Sequence, residues 1–316
     1  MIELRCQIIA ITLACTVFEA GYSQENTRVV ARLGEQPITD RDIDFQLGRV
    51  ASESIEPLTE LPPAVLQSAI HLLGQQRQAL QTLRTRKLAM GREDVERWLE
   101  ENGQPPSGEK LTAAALIREQ SMKAGITESN LRDHLAFRLS WLRFLQQQLT
   151  ESNVAKHFQN QSKRFNGTRF KVSIVDLSTT AGKSGRRDKL AELLTVLRTR
   201  LKAGDLSWHD LASELQQSEL LKGKVDKFRV REDQWIRGTG DVEPTIVSAI
   251  MNLEPETYSQ PIHTATGVHL VKLLAVETGS RELPDVRDEV RAHMLLHLLD
   301  HLARQSESQL PLKAIE

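Results

Sequence analysis

The sequence is poor in several features that define common classes of protein. It has only two cysteines, Cys6 and Cys15, and aromatic residues make up 4% of its 316 residues. Both cysteines lie near the N-terminus, and a chain cleaved after Cys15 would contain no thiol. Such a chain could form no disulfide and would have no cysteine nucleophile. The formal net charge of -1 indicates no nucleic-acid partner. No Gly-x-Ser-x-Gly turn or P-loop occurs, so the sequence gives no argument for hydrolysis or nucleotide binding.

An apolar run near the N-terminus, Ile8–Phe18, follows Arg5. It is shorter than the roughly 20 apolar residues that cross a bilayer as a helix, and its length is typical of the central part of a secretory signal peptide. We therefore expect residues 1–23 to be a signal peptide or an N-terminal anchor, and the protein to be periplasmic or otherwise extracytoplasmic. Thr12–Cys15 also resembles a bacterial lipobox, which would put a lipid anchor at Cys15 and associate the N-terminus with a membrane.

Residues 24–165 are predicted to form a mainly helical domain. The segment Val29–Thr39 has apolar residues around a Gly-x-x-Pro turn, which predicts a short strand or hairpin. Thr39 or Asp40 is a suitable N-cap for a first helix. Later apolar positions recur every three or four residues and predict a long helix from about Ala64 to Gly91, followed by further helices with loops between them.

Residues 166–278 combine strand and helix patterns. Phe170–Leu177 is a hydrophobic strand, and Val268–Leu273 is a second strand with alternating side chains. Between them lies an amphipathic helix whose apolar side consists of Leu190, Leu193, Leu194, Leu197 and Leu201. This order predicts an α+β domain with a small antiparallel sheet flanked by helices.

Residues 279–316 contain one more amphipathic helix, which starts near Leu283. Its apolar stripe consists of Val286, Val290, Met294, Leu298 and Leu302. An isolated amphipathic helix has to bury such a stripe. We expect it to pack on the helical domain, which would then be discontinuous in sequence.

These patterns resemble a known family. Val29–Asp42 and the Ala124–Thr127 entry to a long helix resemble the N-terminal domain of SurA-type chaperones. Phe170–Leu274 resembles a parvulin-type prolyl isomerase domain, including its Gly-x-His-hydrophobic-hydrophobic-Lys strand at Gly267–Lys272 and its Ser-x-Pro-hydrophobic segment at Ser259–Ile262. The resemblance implies an α+β protein with a helical chaperone domain, completed by the C-terminal helix, and one parvulin-like domain.

The resemblance also implies the residues of a catalytic site. Parvulins have two facing histidines with an acidic or cysteine side chain beside them. His269 matches the second histidine, while Ser173 takes the place of the first and Ser218 that of the acid or cysteine. A serine hydroxyl cannot reproduce a pair of imidazoles. The family's Gly-Gly-Asp-Leu-Gly turn is reduced to Lys222–Phe228, with one glycine.

The candidates for the proline pocket follow that turn. They are Phe228, Trp235, Val247 and Ile250. The alternative is that all four are ordinary core residues.

Three histidines of the C-terminal helix, His293, His297 and His301, are spaced by four, as helical metal ligands can be. No Glu-flanked zincin motif accompanies them, and a polar stripe is the favoured interpretation. We predict no metal and no cofactor.

The sequence therefore favours an exported folding factor that binds unfolded or proline-containing extracytoplasmic polypeptides, with a parvulin-like isomerase domain of reduced activity. The alternative is a non-catalytic chaperone or envelope scaffold that uses the parvulin fold only for binding. Prolyl isomerisation needs no bond to be made or broken, since the catalyst only favours the twisted amide.

Overall fold

A computed structural model describes residues 27–49, 61–104, 110–178, 184–221, 228–264 and 266–314. The predicted signal peptide, the lipobox at Cys15 and the turn at 222–227 lie outside these residues. The chain divides into two compact units. Unit 1 contains the described residues up to Thr150 and those from His293 onward, and unit 2 is Glu151–Ala292. The sequence pattern placed the corresponding boundaries at 165/166 and 278/279.

Unit 1 contains a small antiparallel sheet. Its strands are β1 (Val29–Leu33), β2 (Gln36–Thr39) and β7 (Leu312–Ala314), in the order β2-β1-β7. Gly34, in the turn between β1 and β2, has a φ of +57°, which favours glycine. The predicted hairpin is therefore confirmed.

Five helices follow the hairpin in the described residues up to Thr150. They are α1 (Asp40–Gln46), α2 (Pro63–Thr85), α3 (Arg92–Asn102), α4 (Ala113–Ala124) and α5 (Glu128–Gln148). Thr39 caps α1 in a reciprocal capping box with Asp42. The long helix α2 ends six residues before the expected Gly91, because Lys87 takes a φ of +59° and the N–H groups of Leu88 and Ala89 both turn back to the carbonyl of Leu83.

The last helix, α11 (Leu283–Ser306), contributes its C-terminal half to unit 1. Leu299 and Leu302 are buried in the same core as side chains of α2 to α5. The Thr82 hydroxyl donates to the Leu302 carbonyl at 2.8 Å, and the Ser306 hydroxyl donates to the Gln78 carbonyl at 2.7 Å. The expected packing of the C-terminal helix on the helical domain is confirmed.

Unit 2 opens with α6 (Glu151–Asn160) and α7 (Ser162–Phe165). The Glu151 carboxylate pairs with Arg287 and Arg291 of α11, which belong to the same unit. The remaining elements are β3 (Arg169–Ser178), α8 (Ser184–Ala203), α9 (Leu211–Gln217), β4 (Phe228–Arg237), α10 (Pro244–Met251), β5 (Ile262–His263) and β6 (Gly267–Glu277). The strands form an antiparallel sheet in the order β4-β3-β6-β5.

Each face of this sheet is covered by a separate core. On one face, Val175 and Leu177 of β3 pack with the leucines of α8 and with α9. On the other face, Ile174 of β3 and Val271 of β6 pack with Ile246 and Ile250 of α10. The alternation of side chains along β3 and β6 therefore decides which polar groups share a face.

No helix within the described part of the chain is long and apolar enough to cross a membrane.

Candidate functional site around His269

His269 lies on the central strand β6, directly opposite Asp176 of β3. Residues opposite one another in an antiparallel pair point to the same face, which here is the α10 face, because Ile174 and Val271 are an equivalent pair. His269 is 6% exposed. Its Nδ1 lies 2.8 Å from Oδ1 of Asp176. The two strands thus place a carboxylate, and not a second imidazole, beside His269.

Arg231 of β4 holds Asp176 from the other side. Its Nε donates to Oδ2 at 2.9 Å and its Nη2 donates to Oδ1 at 3.1 Å, so the pair is bidentate. Burial by itself would raise the pKa of Asp176, but the hydrogen bond from His269 and the charge of Arg231 outweigh it and lower the pKa below its ordinary value. Asp176 is therefore ionised at neutral pH.

The second ring nitrogen of His269 is also occupied. Nε2 lies 2.7 Å from the hydroxyl of Thr264, which follows β5. That hydroxyl accepts hydrogen bonds from the N–H groups of Thr266 and Gly267, each at 3.3 Å. Because the Asp176 carboxylate can only accept, Nδ1 of His269 is the donor in that contact, while Thr264 occupies Nε2.

Gly267 allows this arrangement to form at the start of β6. A Cβ on Gly267 would lie 2.0 Å from the carbonyl oxygen of Leu177, so only glycine permits β6 to approach β3 this closely. The same approach positions the Gly267 N–H against Thr264.

The order Asp176–His269–Thr264 has the connectivity of an acyl-transfer triad. Thr264 is 8% exposed, and its hydroxyl is engaged by two backbone donors as well as by the ring. A nucleophile must reach a substrate carbonyl, and this hydroxyl is buried among its own partners. The cluster orders strands β3, β4 and β6 and the loop after β5, and its geometry is that of a satisfied buried polar network.

Ser173 does not face His269. Its partner on β6 is Lys272, three residues away from His269, so its side chain points to the opposite face of the sheet. The Ser173 hydroxyl accepts a hydrogen bond from the N–H of Asp233 at 3.2 Å. Asp233 has a φ of +53° in the irregular part of β4. The hydroxyl satisfies the backbone of that bulge, so the position expected for a facing histidine is occupied by Asp176.

Ser218 ends α9, whose Leu211 and Leu215 are buried on the α8 face. Within the described residues, the hydrogen bonds of His269 go to Asp176 and Thr264, and Ser218 takes no part in the cluster. The predicted trio of His269, Ser173 and Ser218 is not brought together.

The four candidates for a proline pocket are also separated. Phe228 packs against the core on the α8 face, whereas Ile250 is fully buried in the core on the α10 face. Val247 is buried on α10. Trp235 is 44% exposed, with the guanidinium of Arg169 5.2 Å from the centre of its ring. Ile250 therefore belongs to the core on the sheet face of His269, and Val247 is buried on the same helix.

Sequence reasoning missed Asp176, Arg231 and Thr264. Strand alternation could have indicated Asp176, because it shares the parity of Ile174 and closes the polar end of an otherwise apolar strand. Arg231 and Thr264 come from other parts of the chain, and their approach depends on the register of the sheet, which no local pattern gives.

The histidines of α11 form a row on the helix. Adjacent ring centres are 6.5 Å apart for His293 and His297 and for His297 and His301. No group of three or more metal-ligating side chains is arranged around a common point in the described residues.

The chain is α+β, as predicted: unit 2 contains an antiparallel four-stranded sheet with helices on both faces, and unit 1 is mainly helical. No protein-family model matches it. Chaperone SurA of Aromatoleum aromaticum is 22% identical over 298 residues, which is 91% of this chain and 65% of that protein. The chain therefore spans about 65% of the length of this relative. The resemblance to SurA-type chaperones is confirmed.

Three of the solved structures to which the chain is similar are of proteins whose names describe a role in folding. The peptidylprolyl isomerase PrsA of Bacillus anthracis is 16% identical, with 73% of this chain and 94% of that chain covered and a TM-score of 0.33. The foldase PrsA of Streptococcus pneumoniae is 13% identical, with 87% and 89% covered and a TM-score of 0.33. A SurA-like chaperone of Campylobacter jejuni is 11% identical, with 92% and 100% covered and a TM-score of 0.24. These TM-scores are low, and the fold class follows from the chain's own sheet and helices.

Proposed function

We propose that this protein is a folding factor that binds unfolded polypeptides. The observation that carries the proposal is the similarity to a chaperone over 298 residues, an alignment too long to fit within either compact unit alone. The similarity therefore includes both the helical unit and the parvulin-like unit. Both units would take part in holding a client.

Exposed apolar side chains of unit 1 support a holding role. Val65 is 42% exposed and Leu72 is 37% exposed, and they are two turns apart on the same side of α2. Met122 of α4 is 70% exposed. Apolar surface without fixed polar partners binds extended chains weakly and with little sequence preference. This is the behaviour expected of a factor that serves many clients.

Light scattering of an unfolded client diluted from denaturant tests the proposal. A near-equimolar amount of the protein should suppress the rise in scattering. Val65→Ser combined with Leu72→Ser should require several-fold more protein for the same suppression, because the apolar stripe is lost. Glu93→Ser combined with Glu101→Ser on α3 is the matched control, since both side chains are exposed and polar in unit 1. A wild-type protein that leaves client aggregation unchanged would refute the proposal.

Prolyl isomerisation is the second candidate activity, and it is favoured by His269 on its Gly-x-His strand and by the apolar side chains of α10 on the same face. Against efficient catalysis stand the burial of His269 and the engagement of both its ring nitrogens. We propose that the parvulin-like unit serves mainly as a binding module.

A proline-containing peptide assay separates the two roles. The uncatalysed isomerisation takes tens to hundreds of seconds. With the wild-type protein present, the isomerisation rate should stay within about twofold of this uncatalysed rate. His269→Gln should give the same rate as the wild type. A large acceleration by the wild type that His269→Gln removes would establish this protein as an isomerase.

We further propose that the protein acts outside the cytoplasm, through the signal sequence predicted at residues 1–23. This proposal rests on the apolar run Ile8–Phe18 and on the similarity to a chaperone of the SurA type. Mass spectrometry of the mature protein tests it. An N-terminus near Ser23 indicates cleavage, a lipid mass on Cys15 indicates a lipoprotein, and an intact Met1 in a cytoplasmic fraction contradicts export.

A further inference from the structure

Arg164 of α7 is a buried cation for which the described residues supply no counter-charge. It is 8% exposed. Its Nη2 donates to the Ser248 hydroxyl at 3.1 Å, and its Nη1 reaches the Gly238 carbonyl at 3.5 Å. Its Nε is buried and has no hydrogen-bond partner within the described residues. Both acceptors are neutral, and no carboxylate of the described chain forms an ion pair with it.

Such an arrangement is unfavourable unless something else neutralises the charge. A buried charge is normally paired or fully hydrogen-bonded, because it has lost its hydration. Burial lowers the pKa of Arg164, which reflects the same loss, and yet an arginine remains protonated in proteins. An anion bound beside the protonated Arg164 guanidinium would therefore stabilise it.

A cleft of about 360 Å³ adjoins Arg164, and all its lining residues belong to unit 2. Arg237 and Arg281 also line it, and Glu289 is the one carboxylate in the lining. Glu289 is already paired with Arg281 at 2.9 Å. The Nε of Arg237 lies 3.9 Å from Oδ2 of Asp241, and this oxygen also accepts the backbone N–H of Arg237 at 2.7 Å. The cleft is thus rich in positive charge, with Arg164 at its buried side.

The backbone is shaped to keep this cleft against Arg164. A Cβ on Gly238 would lie 2.7 Å from the Cα and the carbonyl oxygen of Arg164, so a side chain there would push the end of β4 away from α7. Gly240 has a φ of +88°, which favours glycine. Gly238 therefore brings the chain after β4 close to the backbone of α7, and its carbonyl oxygen lies 3.5 Å from Nη1 of Arg164.

We propose that this cleft binds the carboxylate of a bound polypeptide, either its C-terminus or an acidic side chain. The inference rests on the proposed function, because a carboxylate is the oxyanion that an unmodified polypeptide offers. Arg164, which lines the cleft, is the buried cation of the site, and Arg237 at the rim supplies a second cation. A client would be held by apolar contacts elsewhere and oriented by this contact.

Thermal unfolding of the full chain tests the site without any client. Acetate should raise the melting temperature of the wild type above that in chloride at the same ionic strength, since a ligand of the folded state stabilises it. Lys202→Met removes an exposed cation of α8 and should leave this response intact. Arg164→Met should abolish it. Equal melting temperatures of the wild type in acetate and chloride would overturn the inference.

A matched set of three peptides then identifies which carboxylate is bound, and no protein variant is required because only the ligand changes. A labelled proline-containing peptide is compared in anisotropy titrations with its C-terminal amide and with a Glu→Gln version. Loss of the carboxylate that is used should weaken binding by about tenfold, as expected for a buried charged hydrogen bond.

The outcomes separate the two proposals. Equal binding of all three peptides refutes the carboxylate site and leaves the chaperone proposal standing. No binding of any peptide, together with an acetate response that depends on Arg164, refutes polypeptide holding and supports the anion site.

Discussion

Replacing Asp176 with asparagine is expected to destabilise unit 2, because Asp176 joins three strands through its charge. Its carboxylate accepts two hydrogen bonds from Arg231 and one from His269. Asparagine keeps the shape but has one acceptor oxygen, and its amide group would face a donor. Arg231 would then be left as a half-buried cation without its partner.

The magnitude follows from the burial of the pair. Hydrogen bonds to charged groups contribute about 1.5–3 kcal/mol each, and breaking a fully buried pair costs about 3–5 kcal/mol. The side chains of Arg231 and Asp176 are 19% and 18% exposed, so solvent screens them in part. We therefore expect Asp176→Asn to lower the free energy of unfolding by about 2 kcal/mol. Because the pKa of Asp176 is lowered in the folded state, its carboxylate stabilises the fold at pH values above the ordinary pKa of 3.8. This stabilisation is lost as the pH falls through the folded-state pKa. The difference between the proteins should therefore shrink in acid.

Urea unfolding followed by tryptophan fluorescence measures this difference. With Trp98 and Trp141 of unit 1 replaced by phenylalanine, Trp208 and Trp235 report on unit 2. Asp233→Asn is the matched control, because the Asp233 side chain is 63% exposed and pairs with Lys171 at the surface. Its cost should stay within about 1 kcal/mol. If Asp176→Asn costs no more than Asp233→Asn, the cluster around His269 does not hold the sheet together.

Three further predictions concern other parts of the fold. Burial and nearby arginines lower the pKa of His134 from 6.5 to about 4. As the pH drops from 6.5 to 4, the unfolded chain takes up a proton that the folded chain does not, so the free energy of unfolding should fall by up to about 3 kcal/mol. His134→Gln should lack this pH dependence when urea midpoints are compared across the same range. Thr82→Val should cost about 1 kcal/mol in the same assay, through its lost bond to the Leu302 carbonyl, and Leu302→Ala about 2–5 kcal/mol. Gly267→Ala should prevent unit 2 from folding, as seen by limited proteolysis, since its Cβ has no room beside Leu177.

The elements of the fold could be predicted well because their signals are local. The hairpin needs only Gly34 in its turn, and α1 needs only Thr39 and Asp42 at its start. The apolar stripe of α11 has to be buried against other apolar side chains, and the predicted helical domain was the largest helical segment that could supply them. The end of α2 was misplaced, because the carbonyl of Leu83 captures two later N–H groups, which no periodicity shows.

The candidate site was predicted in part. His269 lies on the predicted strand. The spacing of the family motif, however, predicted Ser173 as the residue that faces it. The register of β3 against β6 shifts at Lys171/Val172, and from there it places Asp176 opposite His269. A difference of three residues changes the face of the sheet to which a side chain points, so an error in register moves the whole site. Arg231 comes from β4, beyond the turn whose sequence departs from the family pattern.

The most direct test of the account compares client holding by the wild type and by His269→Gln. In the proposed function, unfolded polypeptides bind to the surfaces of the folded units, and His269 is a buried structural group. Light scattering of a diluted, unfolded client should therefore be suppressed equally by the two proteins, after circular dichroism has shown that both are folded. Loss of suppression in a folded His269→Gln variant would contradict the account and would make His269 part of the client-binding machinery.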